Sequence, residues 1–373
     1  MRFDYTEEQR LVAESVRRFV SQDYGFEARR RIIASDEGWS REVWAKIAEL
    51  GLLALPLPTQ YGGFGGRAID LLAVMEAFGD ALLVEPYLSV SIAARLIERC
   101  GSETQRMLLL PAIGEGKLVV VLAHAEGGAG YDLSRVATSA IPGKGGSPSG
   151  FTLTGSKRGV LHALCADKLI VSAREGEAVR LFLVDRAGVH LHARVTLDGL
   201  HAADIDLRET PAVALGEHDA MPAIEEAADY ATALLCAEAV GAMAYANEAT
   251  LEYLKTRKQF GVPIGSFQAL QHRMVDMVIE CEQARSMATL ACGRVDGAID
   301  AHERARIVSA AKIKIADAAR RISQESVQLH GGMGMSDELK VSHTFRRLTA
   351  IARELGDADH HLARFMRVST LGG

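Results

Sequence analysis

One segment of the sequence carries side chains that proteins use to bind phosphate. In residues 256–268, Arg257 and Lys258 precede Gln259 and Phe260, and glycines and a proline follow. A guanidinium can donate two parallel hydrogen bonds to phosphate oxygens, and Arg257 offers that chemistry. The same segment could instead simply end a helix, because cations and glycine suit a helix C-terminus. Taken alone, the segment leaves both interpretations open.

Glycine-rich turns are a second kind of candidate site. Gln328 lies shortly before Gly331 and Gly332, and another glycine-rich turn occupies residues 58–65. A residue without a Cβ lets the backbone approach a ligand closely, so Gly331 and Gly332 could line a bound molecule. The alternative for both segments is a glycine that ends a helix.

Hydrophobic periodicity predicts the elements that must position these residues. In residues 1–118, a capping box at 6–9 opens a helix, and further amphipathic stretches lie near 41–50, 68–83 and 86–100. In residues 119–221, short β-branched runs alternate with Gly, Pro, Ser and Asp clusters, with a loose loop at 143–150. We therefore predict a helical part followed by an antiparallel sheet or barrel.

Residues 222–373 return to a helical pattern. Long segments rich in Ala, Glu, Arg and Leu lie near 223–257, 267–297, 302–329 and 342–367. Long helices joined by short links predict a four-helix bundle. The predicted fold class is therefore α+β, with an N-terminal helical domain, a central antiparallel sheet or barrel domain and a C-terminal four-helix bundle.

The composition is that of a folded globular protein. The 373 residues are 48% hydrophobic and 24% charged, which suggests two or three packed domains. The net charge of −6, without a block of Lys or Arg, argues against nucleic-acid binding. No apolar run reaches the ~18 residues of a membrane span, and the first residues lack the apolar core of a signal peptide, so we expect a cytoplasmic protein. The five cysteines are scattered, so neither disulfides nor a metal site are expected.

These motifs, in this order and within this architecture, closely resemble the acyl-CoA dehydrogenase family. The resemblance covers nearly the whole chain and rests mainly on residues 257–261 and 328–332. Segments 160–162, 235–241 and 356–362 look most like the small subunits of heteromeric members, such as pimeloyl-CoA dehydrogenase. The resemblance implies an enzyme in which a carboxylate removes a proton from the α carbon of an acyl-CoA thioester while FAD accepts a hydride from the β carbon. It also implies electron-transfer flavoprotein as the acceptor of the electrons.

The resemblance implies cofactor contacts from two parts of the chain. Residues of the bundle would contact the pyrophosphate and adenosine half of an FAD bound mainly to the neighbouring subunit, so that the site needs a dimer. They are Arg257, Gln259, Phe260, Phe267, Gln268, Gln328, Gly331 and Gly332. Backbone groups of Leu122, Ala125 and Gly130 would face the flavin ring.

Two segments depart from the family pattern around the flavin ring. The usual Thr-Glu-Pro-x-x-Gly-Ser-Asp loop is residues 125–132 here, where Ala125 replaces the Thr and Tyr131 replaces the Ser. The usual Trp-Ile-Thr is residues 159–161, Gly-Val-Leu, so a side-chain hydroxyl donor is absent near the reactive nitrogen. Backbone groups would then have to contact the ring.

The catalytic base is the largest departure. Counting from Gly331 and Gly332, the usual Glu position falls on Leu355, and Glu354 directly precedes it. The alternative base position of some family members falls on Ala231. Neither position carries a carboxylate.

Glu354 is nevertheless a candidate base, and two interpretations of it stay open. Its carboxylate could reach the α carbon, with a pKa raised by desolvation as the substrate closes the site. It could instead be an ion-pair partner of Arg353 or Arg347. His360 and His361 could also act as bases near neutral pH, although histidines in a bundle more often pack through hydrogen bonds.

Three functions are compatible with these residues. Retained FAD motifs beside a missing base favour one subunit of a heteromeric acyl-CoA dehydrogenase, whose homologous large subunit contributes the Glu. One alternative is a self-sufficient homomeric dehydrogenase with Glu354 as the base, and the other is a binding or scaffold protein without turnover. The thioester could carry a dicarboxylyl, branched or steroid side-chain acyl group.

Overall fold

The computed structural model describes residues 6–143, 150–297 and 299–370. Within these residues, helices come first, strands follow, and helices return around a short hairpin. This order confirms the predicted α+β class, with N-terminal helices, a central barrel and C-terminal helices. Residues 144–149 of the predicted loop at 143–150 lie outside the described residues. No helix in the described part of the chain is long and apolar enough to cross a membrane.

The elements are numbered in chain order. The first helices are α1 (Glu7–Asp23), α2 (Phe26–Ile33), α3 (Arg41–Glu49), α4 (Ala68–Ala81), α5 (Tyr87–Cys100) and α6 (Glu103–Gly114). The strands are β1 (Val120–Ala123), β2 (Ser139–Pro142), β3 (Gly150–Leu161), β4 (Lys168–Glu175), β5 (Ala178–Asp185), β6 (His190–Val195) and β7 (His201–Leu215). The remaining elements are α7 (Met221–Thr256), the hairpin strands β8 (Lys258–Gln259) and β9 (Val262–Pro263), α8 (Gln268–Arg294), α9 (Ala301–His330), α10 (Lys340–Ile351) and α11 (Ala358–Thr370).

The chain forms two compact units that interleave along the sequence. The bundle unit contains the residues up to Arg29, Arg67–Leu83 and those from Thr232 onward. The barrel unit contains Arg30–Gly66 and Val84–Ala231. The domain boundaries near 118 and 221 remain a prediction from the hydrophobic pattern.

The strands of the barrel unit close on themselves. Neighbouring strands pair in the order β4, β2, β3, β7 and β5, and β5 pairs again with β4, while β1 and β6 add to β4 and β7. The pairings are antiparallel except that β1 and β2 run parallel to β4. The sequence pattern missed β2 and β7. In β7, Asp204 and Asp206 are of a residue type that is rare in strands, and Glu209 adopts a positive φ of 50°.

The last predicted helix, near 342–367, is two helices instead of one. Leu355 has a φ of 58° and Gly356 a φ of 113°, so the chain leaves the helical conformation between α10 and α11. The Asp357 carboxylate then accepts a hydrogen bond from the backbone N of His360 at 2.9 Å and caps α11. Glycine and aspartate therefore end one helix and begin the next.

Helices α4 and α7 touch through glycine inside the bundle unit. A Cβ added at Gly79 would lie 1.8 Å from the carbonyl oxygen of Glu238, and one added at Gly241 would lie 1.8 Å from that of Glu76. Two backbones can approach this closely only where side chains are absent. The contact fixes the relative position of the two helices.

Candidate active site

The bundle unit brings the two predicted phosphate-binding segments together. The rings of Tyr253 and His330 stack with centroids 4.5 Å apart, and the hydroxyls of Thr250 and Ser326 are 2.8 Å apart. The C-terminal ends of α7 and α9 therefore lie side by side. Arg257 follows Tyr253 by one turn, and the glycine turn follows His330 directly.

The hairpin after α7 presents its side chains to solvent. The backbone N of Ile264 donates to the carbonyl of Arg257 at 2.8 Å and closes the hairpin. Phe260 and Gly261 both have positive φ, as a two-residue hairpin turn of type I′ requires. Phe260 is 93% exposed and its ring contacts that of Phe267, with centroids 6.2 Å apart. The side chains of Arg257, Gln259 and Gln268 are also exposed.

The glycine turn after α9 is open to a ligand. Gly331 has a φ of 59°, and a Cβ added at Gly331 or Gly332 would meet nothing within 4 Å. Gln328 is exposed on the last turn of α9. The exposed amides of Gln259 and Gln328 and the exposed guanidinium of Arg257 thus lie on segments that follow or end neighbouring helices of the bundle unit, and groups of these types can donate to a pyrophosphate. The cofactor roles of these residues stay predictions.

The predicted flavin-facing residues lie in the barrel unit. Leu122 is half-buried in β1, while Ala125 and Gly130 are exposed on the loop that follows. A Cβ added at Gly130 or at Gly159 would meet nothing within 4 Å, so both surfaces are open. The carbonyl of Ala125 accepts from the backbone N of Arg158 at 2.8 Å. The loop and the end of β3 are therefore neighbours, and either could approach a planar ligand.

The Glu354 carboxylate lies in a network of charges in the bundle unit. Its Oε2 is 3.2 Å from Nη1 of Arg347, and the side chain is 21% exposed. The buried Arg347 also donates to Glu238, from Nε to Oε1 at 2.6 Å and from Nη2 to Oε2 at 3.0 Å. Of the two ion-pair partners considered for Glu354, Arg347 is the one in contact.

The turn that contains Leu355 is held by buried polar groups. Lys312 on α9 donates from Nζ to the carbonyls of Ile351 and Glu354, at 2.5 and 2.7 Å. His361 bonds through Nε2 to the carbonyl of Leu355 at 3.0 Å. The turn is therefore well defined, and the side chain at the usual position of the base is apolar.

His361 is a packing residue in this arrangement. Its Nδ1 lies 3.3 Å from the Ser309 hydroxyl, and its ring is buried. Burial, with the positive charge of Lys312, lowers the pKa of His361 to about 3. The neutral ring donates one hydrogen bond and accepts another, and a group this reluctant to take a proton is a poor base near neutral pH. Histidine at this position therefore fixes the turn.

The alternative base position offers no carboxylate in the barrel unit. Ala231 is fully buried in α7. Nearby, the guanidinium of Arg95 lies 4.9 Å from the ring centre of Tyr230 and binds Glu226 at 2.7 Å. These contacts pack the first turns of α7.

Two buried lysines, each of which binds a backbone carbonyl in a loop or turn, were not predicted from the sequence. Lys157 in the barrel unit and Lys312 in the bundle unit have side chains that are fully buried. Lysine is rarely buried unless it is paired, so its contacts carry structural meaning. The available signal was a lysine within an apolar run, as at Lys312 between alanines and isoleucines.

The order of N-terminal helices, central barrel and C-terminal helices is that of a flavin-dependent dehydrogenase. The acyl-CoA dehydrogenase N-terminal domain matches residues 6–117, and the C-terminal domain matches residues 221–368. The L-prolyl-[peptidyl-carrier protein] dehydrogenase of Serratia sp. is 30% identical over 361 residues, which cover 91% of this chain and 90% of the relative. The chain belongs to the acyl-CoA dehydrogenase family, and FAD is its cofactor.

Two solved structures are similar over almost all of the chain. The structure of PigA with FAD and proline is 27% identical in sequence and has a TM-score of 0.90. The match covers 100% of each of the two chains. A chain of the ChsE4–ChsE5 complex from Mycobacterium tuberculosis is 27% identical in sequence, with a TM-score of 0.89. The match covers 99% of each of the two chains. These likenesses support FAD-dependent dehydrogenation of the acyl-CoA dehydrogenase type.

Proposed function

We propose that this chain is one subunit of a heteromeric acyl-CoA dehydrogenase, in which a homologous large subunit supplies the catalytic carboxylate. One observation carries the proposal. The usual position of the base holds Leu355, while the adjacent Glu354 carboxylate lies 3.2 Å from Arg347. The retained family fold beside this missing base is what a partner would complement.

Glu354 is poorly suited to be the base. A base must accept a proton from the α carbon, but proton uptake by Glu354 would weaken its contact with Arg347. Arg347 is buried and binds Glu238 at the same time. Removing one partner from a buried ion pair costs about 3–5 kcal/mol, which opposes any movement of Arg347. The homomeric alternative needs that rearrangement.

The bundle unit would bind the nucleotide half of FAD. Arg257, Gln259 and Gln328 would donate side-chain hydrogen bonds, and Gly331 and Gly332, which lack a Cβ, would let the backbone approach the cofactor closely. Phe260, Phe267 and Gln268 would contact the adenosine part or the neighbouring subunit. When bound, FAD supplies the acceptor for the hydride.

The barrel unit would contact the flavin ring through its backbone. Leu122, Ala125 and Gly130 would face the ring in place of the missing side-chain hydroxyls. The substrate would be an acyl-CoA thioester, and electron-transfer flavoprotein would take the electrons. The ChsE4–ChsE5 likeness supports a partnership of two different chains.

The experiment compares the chain alone with the chain copurified with homologous subunits encoded beside it. We expect acyl-CoA turnover only in the complex, because general-base catalysis is worth about 10² to 10⁴ in rate. Glu354→Gln should leave the activity of the complex within about twofold. Leu355→Glu should create weak activity in the lone chain.

Leu355→Gln is the matched control, since it has a similar size and no carboxylate. It should leave the lone chain inactive. If the isolated wild-type chain turns over the substrate rapidly and Glu354→Gln abolishes that activity, the proposal of a partner subunit is refuted and Glu354 is the base. A complex without flavin absorbance would instead favour a scaffold function.

A further inference from the structure

We propose that Lys157 is a positioning residue for the cofactor, which holds the loop at residues 124–138 so that the backbone of Ala125 faces the flavin ring. The inference rests on the proposed function and deepens it. It concerns the barrel unit alone. Lys157 lies on β3, and its side chain is 0% exposed.

The Lys157 ammonium binds both the loop and the sheet. Its Nζ donates to Oε1 of Glu126 at 2.7 Å, to the carbonyl of His124 at 3.1 Å and to the hydroxyl of Ser172 at 2.9 Å. An ammonium has three protons and no lone pair, so these acceptors use all of its donors. Lys157, Glu126, His124 and Ser172 are called the Lys157 clamp below.

Glu126 connects the Lys157 clamp to the far end of the loop. Its carboxylate accepts from the backbone N of Ala137 at 2.7 Å, and from the backbone N and the hydroxyl of Thr138 at 3.1 and 2.7 Å. The entry and the exit of the loop are thereby joined through one carboxylate. Between them, Gly127 and Gly128 are exposed and face open space.

The contact with His124 determines where the next N–H group points. The carbonyl of His124 and the N–H of Ala125 belong to one planar trans peptide, in which they point in opposite directions. Because Lys157 draws the carbonyl toward the interior, the N–H of Ala125 is directed away from the buried lysine. Ala125 is exposed, so a ligand could reach that N–H from the side opposite to the lysine. A backbone donor could therefore replace the missing Thr hydroxyl.

Protonation of Lys157 controls the clamp. Burial lowers the pKa of Lys157 to about 8, although Glu126 opposes the shift. Burial acts to raise the pKa of Glu126, but hydrogen bonds from Lys157, Thr138 and Ala137 outweigh it and lower the pKa to about 2. Burial and the charge of Lys157 lower the pKa of His124 to about 4, so this ring is neutral. Among Lys157, Glu126 and His124, Lys157 is thus the group whose pKa lies in the alkaline range.

The sign of the pH effect follows from the donors. Below about pH 8 the ammonium satisfies all its acceptors and neutralises Glu126. Above it, the amine has two protons for the same acceptors, and the Glu126 carboxylate loses its counter-charge. If FAD binding requires protonated Lys157, the dissociation constant is lowest below pH 8 and rises at most about tenfold per pH unit above it.

The test uses the flavin-containing complex, with FAD titrated back after its removal. Lys157→Met should raise the FAD dissociation constant about tenfold or more at pH 7, shift the flavin absorption spectrum and remove the pH dependence between pH 7 and 9.5. The matched control is Lys168→Met in the same unit, because Lys168 pairs with Asp185 at the surface. The control should behave as wild type in all three measurements.

The wild-type titration and Glu126→Gln keep the inference testable if Lys157→Met fails to fold. A wild-type dissociation constant that stays flat to pH 9.5 overturns the inference, as does a folded Lys157→Met complex with wild-type affinity and spectrum. The Arg257→Ala variant distinguishes failure of the positioning role of Lys157 from failure of the proposed function. If it weakens FAD binding while Lys157→Met does not, only the positioning role fails. A complex without FAD refutes the proposed function itself.

Discussion

Buried polar side chains determine the shape of the turns around the candidate site. Lys312 and His361 bind successive carbonyls in the turn between α10 and α11. A Cβ added at Gly356 would lie 2.6 Å from Nε2 of His361, so glycine is required next to that ring. These contacts hold the backbone on both sides of the peptide that joins Glu354 to Leu355.

His361 predicts how the protein responds to acid. Its pKa is about 3 in the folded chain and near 6.5 in an unfolded one. Because the unfolded state takes up the proton first, this contribution to stability is complete above pH 6.5 and is lost as the pH falls toward 3. The free energy of unfolding should fall by at most about 1.4 kcal/mol per pH unit in that range from this group. His361→Gln should show a shallower decline in urea unfolding between pH 6 and 4.

His190→Gln is the control for acid sensitivity, since His190 is exposed on β6. It should keep the wild-type slope of stability against pH. Equal slopes for His361→Gln and wild type would show that His361 does not control acid unfolding.

Residue chemistry could be predicted where it depends on local motifs. The cofactor contacts were predicted because the motifs around Arg257 and Gln259 are continuous in the sequence and resemble those of the acyl-CoA dehydrogenase family. The contacts of Lys157 were not, because Glu126 is separated from it by 31 residues. Likewise, the sequence could not decide whether Arg347 or Arg353 is the partner of Glu354, because that depends on the backbone conformation of the turn. Distant pairs need the fold before they can be named.

Helices were predicted more completely than strands. The helical segments are long, with 14 residues in α4 and 36 in α7, whereas β2 has only four residues. The break between α10 and α11 was missed because apolar spacing continues across it. The signal was the pair Gly356 and Asp357, which suits a helix end and a new N-cap.

The contact between α4 and α7 predicts a sensitive position at Gly79. Gly79→Ala places a methyl group against the carbonyl of Glu238, where the available distance is 1.8 Å. The helices must separate, and overpacking of this kind costs about 1–3 kcal/mol in the free energy of unfolding. Chemical denaturation of the purified variant measures the loss.

Gly188→Ala is the matched control, because a Cβ there meets nothing within 4 Å. It should change the free energy of unfolding by less than about 0.5 kcal/mol. A Gly79→Ala protein as stable as this control would mean that the helix contact tolerates a side chain.

Assembly with another subunit is the prediction for the whole molecule. An apolar groove of about 630 Å³ in the bundle unit is lined by Leu251, Leu254, Pro263, Val275, Val278 and Ile279. It adjoins the hairpin of Arg257 and the exposed Phe260, where the proposed FAD site needs a neighbour. Exposed apolar surface of this kind is typical of protein interfaces, and we expect the homologous subunit to cover it.

Val278→Asp should therefore release the partner and lower flavin content together. Val278 is 44% exposed, so the change should not disturb the fold of the lone chain. Light scattering after gel filtration measures the mass, and absorbance measures the flavin. Met107→Asp, at an exposed apolar residue of α6, is the control and should leave the complex intact. A Val278→Asp complex of unchanged mass would exclude this face as the interface.

Because the two units interleave along the sequence, some early helices are synthesised long before the residues they contact. Glu76 on α4 binds Arg285 on α8, 209 residues later, and the backbone N of Ala68 binds Asp296, 228 residues later. At about 5–20 residues per second, α4 waits ~10–40 s on the ribosome before its partners exist. Most of α4 is apolar and ends up buried, so that interval exposes an aggregation-prone helix. Slower translation or scarce chaperones should therefore reduce the yield of folded protein more than its final stability suggests.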